Sequence, residues 1–391
     1  MNKAKDILKK QTMLLALVFI MVLFQVLIVS QGKGSLFAPT NITNLISQNS
    51  YVVVLATGML ICILTGGNID LSVGSSVALV GALAGTLIVN MKVNVYVSIF
   101  LCLVAGTLLG AWQAYWIAYK RIPSFIVTLA GMLVYRGLAL TLLDGQTISP
   151  FPATFTNIFN SYIPGRDADP ALRMAISLGV AAVLCIIIAA MTIITRANRV
   201  KKNYEVESLV STTMKTVLAC TVLTAVFWLF SQDKGVPVIL ILLTVVVLAY
   251  HYYTSNTVSG RHLYAMGGNE KAAKLSGINT NRTLFFAYAN MGFLAAVAAL
   301  VAVARFNSAA PSAGTNYEMD AIAACYIGGA SSFGGVGTVP GAVIGAIFMG
   351  VLNNGMSILG IDSNWQRTVK GLVLLTAVIL DVLNKKRKQS S

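Results

Sequence analysis

The chain has 391 residues, of which 57% are hydrophobic and 10% charged. A water-soluble surface needs about a quarter of its residues charged, so this composition excludes a set of ordinary soluble domains and calls for lipid as the solvent. The formal net charge of +15 would suggest nucleic acid in a soluble domain. Here the Lys and Arg residues sit in short clusters between apolar runs with few aromatics interleaved, which is the pattern of cytoplasmic loops. No nucleic-acid partner is expected.

The first apolar stretch runs from Thr12 to Ser30 and follows Lys3, Lys5, Lys9 and Lys10. It is too long for the apolar core of a cleaved leader, and no small-x-small site follows, so it reads as a retained signal anchor. A helix needs about 20 apolar residues to cross the hydrocarbon. By that measure about twelve segments are expected, near 12–30, 46–65, 71–90, 95–119, 124–143, 172–195, 216–231, 236–254, 283–305, 318–334, 338–359 and 367–384. The fold class is all-α, a polytopic transmembrane bundle of about 10–12 spans, and residues 1–391 read as a single domain. The stretch from Asp144 to Pro170, with its four prolines, reads as a long outer loop ordered by turns. The polar segment 196–215 reads as an inner loop. Nineteen of the 28 basic residues fall in five clusters, at 3–10, 120–121, 196–215, 261–282 and 385–388. With both termini inside, all five lie on the cytoplasmic side, as the positive-inside bias requires.

Small residues recur four apart at Gly81 and Gly85, at Gly106 and Gly110, and at Gly337, Gly341 and Gly345. In lipid such spacing lets helix backbones approach closely. The five cysteines lie in apolar runs without metal-ligand spacing and read as small buried hydrophobes. With His251 and His262 the only histidines, a metal site, a cofactor site or a catalytic triad is not expected.

Three segments carry more. Thr65–Ser75 (TGGNIDLSVGS) interrupts two apolar runs. Asp70 there either caps the next helix or, with Asn68 and Ser72, faces a translocation path, because polar backbone at membrane depth needs protein or a water cavity around it. The segment 257–282 lies on the inner side. Gly267 and Gly268 are read as a break and Asn269 as an N-cap. Glu270 suits the first turn, Lys274 the last and Gly277 the left-handed stop. This predicts a two-turn helix containing Ala272, Ala273 and Ser276, either an ordinary structured loop or a docking element. The segment 318–341 opens with Glu318 and Asp320, which complement a helix dipole, and continues through a glycine-rich turn. No G-x-x-x-x-G-K-[ST] motif occurs, so the chain is not expected to be its own ATPase, and two isolated histidines do not supply the nucleophile, base or metal set that a membrane enzyme would need. Arg136 falls near the middle of its span, where a charge is either functional or a hydrogen-bond hub. Arg305, Arg367, Lys370 and Asp381 fall near span ends and read as membrane-edge anchors. Asn354 is a further candidate for the path.

At these segments the chain resembles the permease family of ribose-, xylose- and galactose-type ABC importers, most of all in GRHLYAMGGNEKAAKLSGIN, TGGNIDLSVGS, PSAGTNYEMDAIAA, GGVGTVPGAVIGA and LNNGMSILGIDSNWQRTVKG. The likeness covers most of the chain. It implies a permease fold, usually of ten spans, in which Asn269 to Gly277 is the coupling helix seated on a partner ATPase. It also implies a second permease copy as a homodimer and an extracytoplasmic sugar-binding protein in a multi-pass plasma-membrane assembly. ATP and Mg would belong to the partner ATPase. The chain exceeds the usual length by a hairpin around 196–235, which is similar to the xylose-type and multiple-monosaccharide permeases. The implied function is import of xylose, glucose, arabinose or galactose by alternating access. The competing readings are the same architecture carrying branched-chain amino acids, nucleosides or autoinducers, and a stand-alone secondary carrier. Against the last stands the lack of a chain of buried carboxylates.

Overall fold

The computed structural model describes residues 12–389 apart from 166, 205 and 207; the N-terminal lysines of the first basic cluster lie outside them. The chain folds as α1 Thr12–Ser30, α2 Pro39–Leu64, α3 Val73–Gly85 with a wider turn to Asn90, α4 Val95–Ala118 and α5 Ser124–Leu143. Then come α6 Ala153–Asn160, β1 Tyr162–Pro164, α7 Pro170–Lys201, α8 Leu209–Gln232, β2 Gly235–Pro237 and α9 Ile239–Asn256. The last elements are α10 Val258–Gly268, α11 Glu270–Leu275, α12 Thr280–Phe306, α13 Tyr317–Ile327, α14 Val339–Ile358 and α15 Ser363–Gln389. Ten of the described helices are long and apolar enough to cross a membrane. The chain is therefore a multi-pass membrane protein.

Two expected spans depart from simple rods. The stretch 318–334 is not one helix. It stops at Ile327, because Gly329, Gly334 and Gly335 all take left-handed φ angles that a right-handed helix cannot contain. The final segment is a helix, α15, but it carries Arg367, Lys370 and Asp381 along its length. The expected outer loop also holds more order than turns supply. Phe155 and Phe159 of α6 are buried, and β1 pairs antiparallel with β2 through Tyr162 and Pro237.

Helices α2 and α12 form the buried centre, with α3 and α14 mostly buried beside them. Helix α12 packs along α4, α2 and α3, while α14 packs on α2, α13 and α1. The α4–α12 contact follows from small residues. A Cβ on Gly106 would lie 2.5 Å from the Ala296 Cβ, and one on Gly292 would lie 2.7 Å from the Gly110 Cα. Lipid tails are as apolar as leucine, so this close van der Waals fit holds the pair.

Helices alternate in direction, so the connections sort into two ends. One end gathers the chain around Leu64, the α4–α5 turn, α10 and α11, the 328–338 segment and the end of α15. The α7–α8 turn falls at the same end by alternation. The other gathers the 31–38 turn, α6, the β1–β2 pair and the start of the 307–316 loop. The basic clusters at 120–121, 196–215 and 261–282 therefore share one end.

The tight α4–α12 contact predicts a sharp difference between two glycines. Leucine at Gly292 is overpacked, which costs about 1–3 kcal/mol or more. Leucine at Gly137, with open space around its Cβ position, costs little. Melting temperature in detergent should fall by several degrees for G292L and hold for G137L; equal values would break the assignment of this contact.

Candidate functional site

The α2–α3 interruption is built by Gly66 and Gly67, with φ of +121° and +74°. Its loose ends are satisfied locally. The Thr65 hydroxyl donates to the Cys62 carbonyl at 2.7 Å, and Asn68 Nδ2 donates to the Thr65 carbonyl at 3.2 Å. Asp70 Oδ1 accepts from the Ser72 amide at 2.8 Å and from its hydroxyl at 2.7 Å. Gln113 Nε2 of α4 donates to Ser72 Oγ at 2.7 Å, and the Tyr288 hydroxyl of α12 donates to the Ile69 carbonyl at 3.1 Å. Asp70, Ser72 and Gln113 are buried. Asp70 thus folds back on Ser72 rather than capping α3, whose N-cap Ser72 makes no side-chain cap bond.

A second interruption, 328–338, packs directly on the first. Gly67 faces the Ser332 carbonyl, Gly334 lies over Gly66 and Gly67, and the Gly335 amide donates to the Leu64 carbonyl at 3.1 Å. Asp381 Oδ2 accepts from the Ser332 amide at 3.0 Å and its hydroxyl at 2.9 Å. It therefore ties α15 to this turn, where membrane-edge anchoring was expected.

A third glycine pair joins them. Gly267 and Gly268 do not form the expected break. They complete α10, and the chain turns extended at Asn269, φ −160°. Gly267 is instead needed for contact, since a Cβ there would run into the Leu64 carbonyl and the Gly335 amide. The Tyr264 hydroxyl of α10 also donates to the Gly337 carbonyl at 2.9 Å.

Beyond this junction stands α11. Asn269 Oδ1 accepts from the Ala272 amide at 3.0 Å, and Glu270 and Lys274 occupy the first and last turns. Gly277 stops the helix at φ +86°. So short a helix is marginal alone, and it is held from two sides. Ala273 is buried. Arg121, in the α4–α5 turn, pairs with Glu270 at 2.5 Å and donates to Thr280 Oγ1 at 3.0 Å and to Asn281 Oδ1. An exposed ion pair adds only about 0–1 kcal/mol, so its value is positional. The outer face of α11 carries Lys271, Lys274 and Ser276, all exposed. Next to them Leu275 is 89% exposed.

Within the bundle, the start of α13 forms a polar cluster. Asp320 is buried and pairs with Lys370 of α15 at 2.9 Å, and the Tyr51 hydroxyl donates to it at 3.1 Å. Tyr51 and Tyr317 stack with centroids 3.8 Å apart. Lys370 therefore points inward, not to the membrane edge, because the buried carboxylate outcompetes the interface for it. Arg305 lies over the Phe306 ring at 5.0 Å, and Arg367 is exposed. Arg136 donates to the Pro311 and Ala313 carbonyls at 3.2 and 2.6 Å, as a hub that pins the 307–316 loop.

The candidates thus divide. Asn68, Asp70 and Ser72 form one group beside the glycine junction. Asn354 bonds to Asn41 Oδ1 at 3.0 Å, near the opposite end of α2, whose 26 residues span about 39 Å. Arg136 belongs with the loop ahead of α13. Arg121, Gln113 and Tyr51 were not among the candidates, and Lys370 was read only as a membrane-edge anchor. Gln113 and Lys370 did leave a signal, as lone polar residues inside apolar runs.

A family profile described as "Branched-chain amino acid transport system / permease component" matches residues 41–162 and 179–378. The chain is 39% identical over 388 residues to the Xylose transport system permease protein of Haemophilus influenzae, covering 99% of this chain and all of that one. It is 38% identical to the Escherichia coli protein of the same name, over 90% of this chain and 88% of that one. It is 34% identical to the Ribose import permease protein of Escherichia coli, over 94% and 93% of the two chains. No solved structure matches it. With its bundle of membrane helices, the chain belongs to this permease-component family of ABC importers.

Proposed function

We propose that the chain is the membrane subunit of an ATP-driven monosaccharide importer, acting on sugars of the xylose, glucose, arabinose or galactose class. The observation that carries this reading is α11. It is a capped two-turn helix on the basic end of the molecule, gripped by Arg121 and presenting the exposed Leu275 to water. Seating Leu275 in a partner's groove would remove its apolar surface from water. The names of the xylose and ribose relatives support the sugar class.

In this reading the partner is an ATPase that holds ATP and Mg, and this chain is a transport subunit that binds no cofactor. A sugar-binding protein delivers the cargo to the opposite face, and two copies of the chain form the pathway in the plasma membrane. The positive-inside bias of the basic clusters supports a cytoplasmic position for α11 and both termini. The coupling segment 257–282, the path candidates Asn68, Asp70, Ser72, Arg136 and Asn354, and the extra hairpin fit within one permease domain. When the ATPases close, α11 moves. Gly267 rests on Leu64 and Gly335, so the movement reaches both interruptions of the bundle. Transport needs only that the partners change the relative stability of the inward- and outward-open states.

Vesicles holding the permease with its ATPase and binding protein should take up labelled xylose, glucose, arabinose or galactose, and lose uptake when either partner or ATP is left out. Uptake of leucine in place of any sugar, or uptake by the permease alone on an ion gradient, would overturn the reading. L275D should cut ATP-driven uptake more than tenfold with the protein still inserted, whereas unchanged uptake would remove α11 from the ATPase interface. A cysteine placed at Lys202 should react with an impermeant maleimide only from the cytoplasmic side; labelling from outside would invert the topology.

A further inference from the structure

Helices α7 and α8 pack on each other as a hairpin but touch the rest of the bundle chiefly at the end away from their connecting turn. There Phe227, Phe230, Ala181 and Val236 form a small core with Ile42, Ile46 and Leu240, and Arg173 donates to the Asp233 carbonyl. Toward the turn the pair stands nearly free, with most of its surface uncovered.

Two adjoining cavities run along this free part. One is an apolar groove of about 860 Å³, lined by residues such as Ile186, Ala189, Val217 and Cys220. The other, of about 350 Å³, lies nearer the turn and is lined by Thr192, Thr195, Arg196, Arg199 and Thr212. From Arg173 to Arg196 the helix rises about 34 Å, close to the hydrocarbon thickness. The groove therefore lies at acyl-chain depth and the arginines at the level of lipid phosphates. Arg196 Nη1 donates to Thr212 Oγ1 at 3.2 Å, and both residues line the cavity nearer the turn. Residues 196–215 carry five basic and two acidic side chains, so the excess of charge is positive.

We propose that this hairpin seats an anionic phospholipid, with an acyl chain in the groove and the phosphate on Arg196 and Arg199. Arginine matches phosphate oxygens with paired donors, and basic pockets between helices at the inner membrane face suit anionic headgroups. Charge also selects against the other occupants. A second copy of the chain would bring the same positive excess against it, and a water-soluble partner cannot enter a groove at hydrocarbon depth. The site requires only that the chain be inserted in a membrane, not that it carry sugar.

Native mass spectrometry of the purified chain should detect phosphatidylglycerol bound at least fivefold better than phosphatidylcholine of the same acyl chains. The double variant R196Q/R199Q should lose that preference, while R282Q, as the control, keeps it. The groove-filling variant A189F should weaken both lipids. All variants should keep the melting temperature of the parent in lipid-free detergent. Equal binding of the two lipids, a preference that survives R196Q/R199Q, or inorganic phosphate competing at the affinity of the lipid would each overturn the proposal. So would dimers that form through the hairpin. No sugar, ATP or partner enters the assay, so its failure is distinct from a failure of the transport reading.

Discussion

Two glycine-bearing bends and the glycine end of α10 meet backbone to backbone at one end of the bundle, and the rest of the molecule is arranged around that meeting. Gly66–Gly67, Gly267 and Gly334–Gly335 approach until carbonyls and amides stand where side chains would be. Left-handed φ angles at four of these residues exclude most other residue types on conformational grounds, and at Gly67, Gly334 and Gly335 the contact excludes them again on space. Because Gly267 of α10 meets Leu64 and Gly335 directly on their backbone atoms, the junction has little room to absorb displacement. Close-packed interiors transmit strain for this reason. It joins the solvent-facing helix α11 to the parts of the bundle whose helical hydrogen bonding is already broken.

Several polar groups inside the bundle are answered by another element. Gln113 of α4 answers Ser72, Tyr288 of α12 answers Ile69, Asp381 of α15 answers Ser332, and Arg136 of α5 answers the 311–313 carbonyls. In hydrocarbon an unpaired backbone group costs several kcal/mol, so each bond also fixes the position of the element that supplies it. The interruptions are thereby rigid parts of the wall and not loose loops.

What was legible in the sequence divides along the range of the interactions. Hydropathy marked the spans, because burial in lipid is a property of each segment by itself. Helix α11 was legible for a similar reason, since Asn269, Glu270, Lys274 and Gly277 act within two turns of chain. The roles of Lys370 and Asp381 were not legible. Their position near a span end is compatible with snorkelling, and only the fold brings Asp320 and Ser332 to them. The end of α13 at Ile327 was missed because apolar and small residues continue through 334, and hydropathy does not see left-handed glycines. Gly267 was read as a helix break, whereas it lies within α10 and the need for it comes from Leu64 and Gly335, far away in sequence. The candidate path residues show the same limit. Local polarity picked out Asn68, Asp70, Ser72 and Asn354 alike, and the fold sets Asn354 at the far end of α2.

The buried Asp320–Lys370 pair has a consequence for how the chain is made. Helix α13 has 11 residues, too few to cross the membrane, and opens with two acids. Helix α15 carries a lysine and an aspartate at depth. A charged side chain buried within the membrane is costly unless it is paired, so each element inserts more readily with the other than by itself. Once α14 has turned the chain around, the carboxylate and the ammonium can enter together, each removing the penalty of the other. Two residues that lie 50 positions apart thus favour joint entry of α13 and α15 into the bilayer.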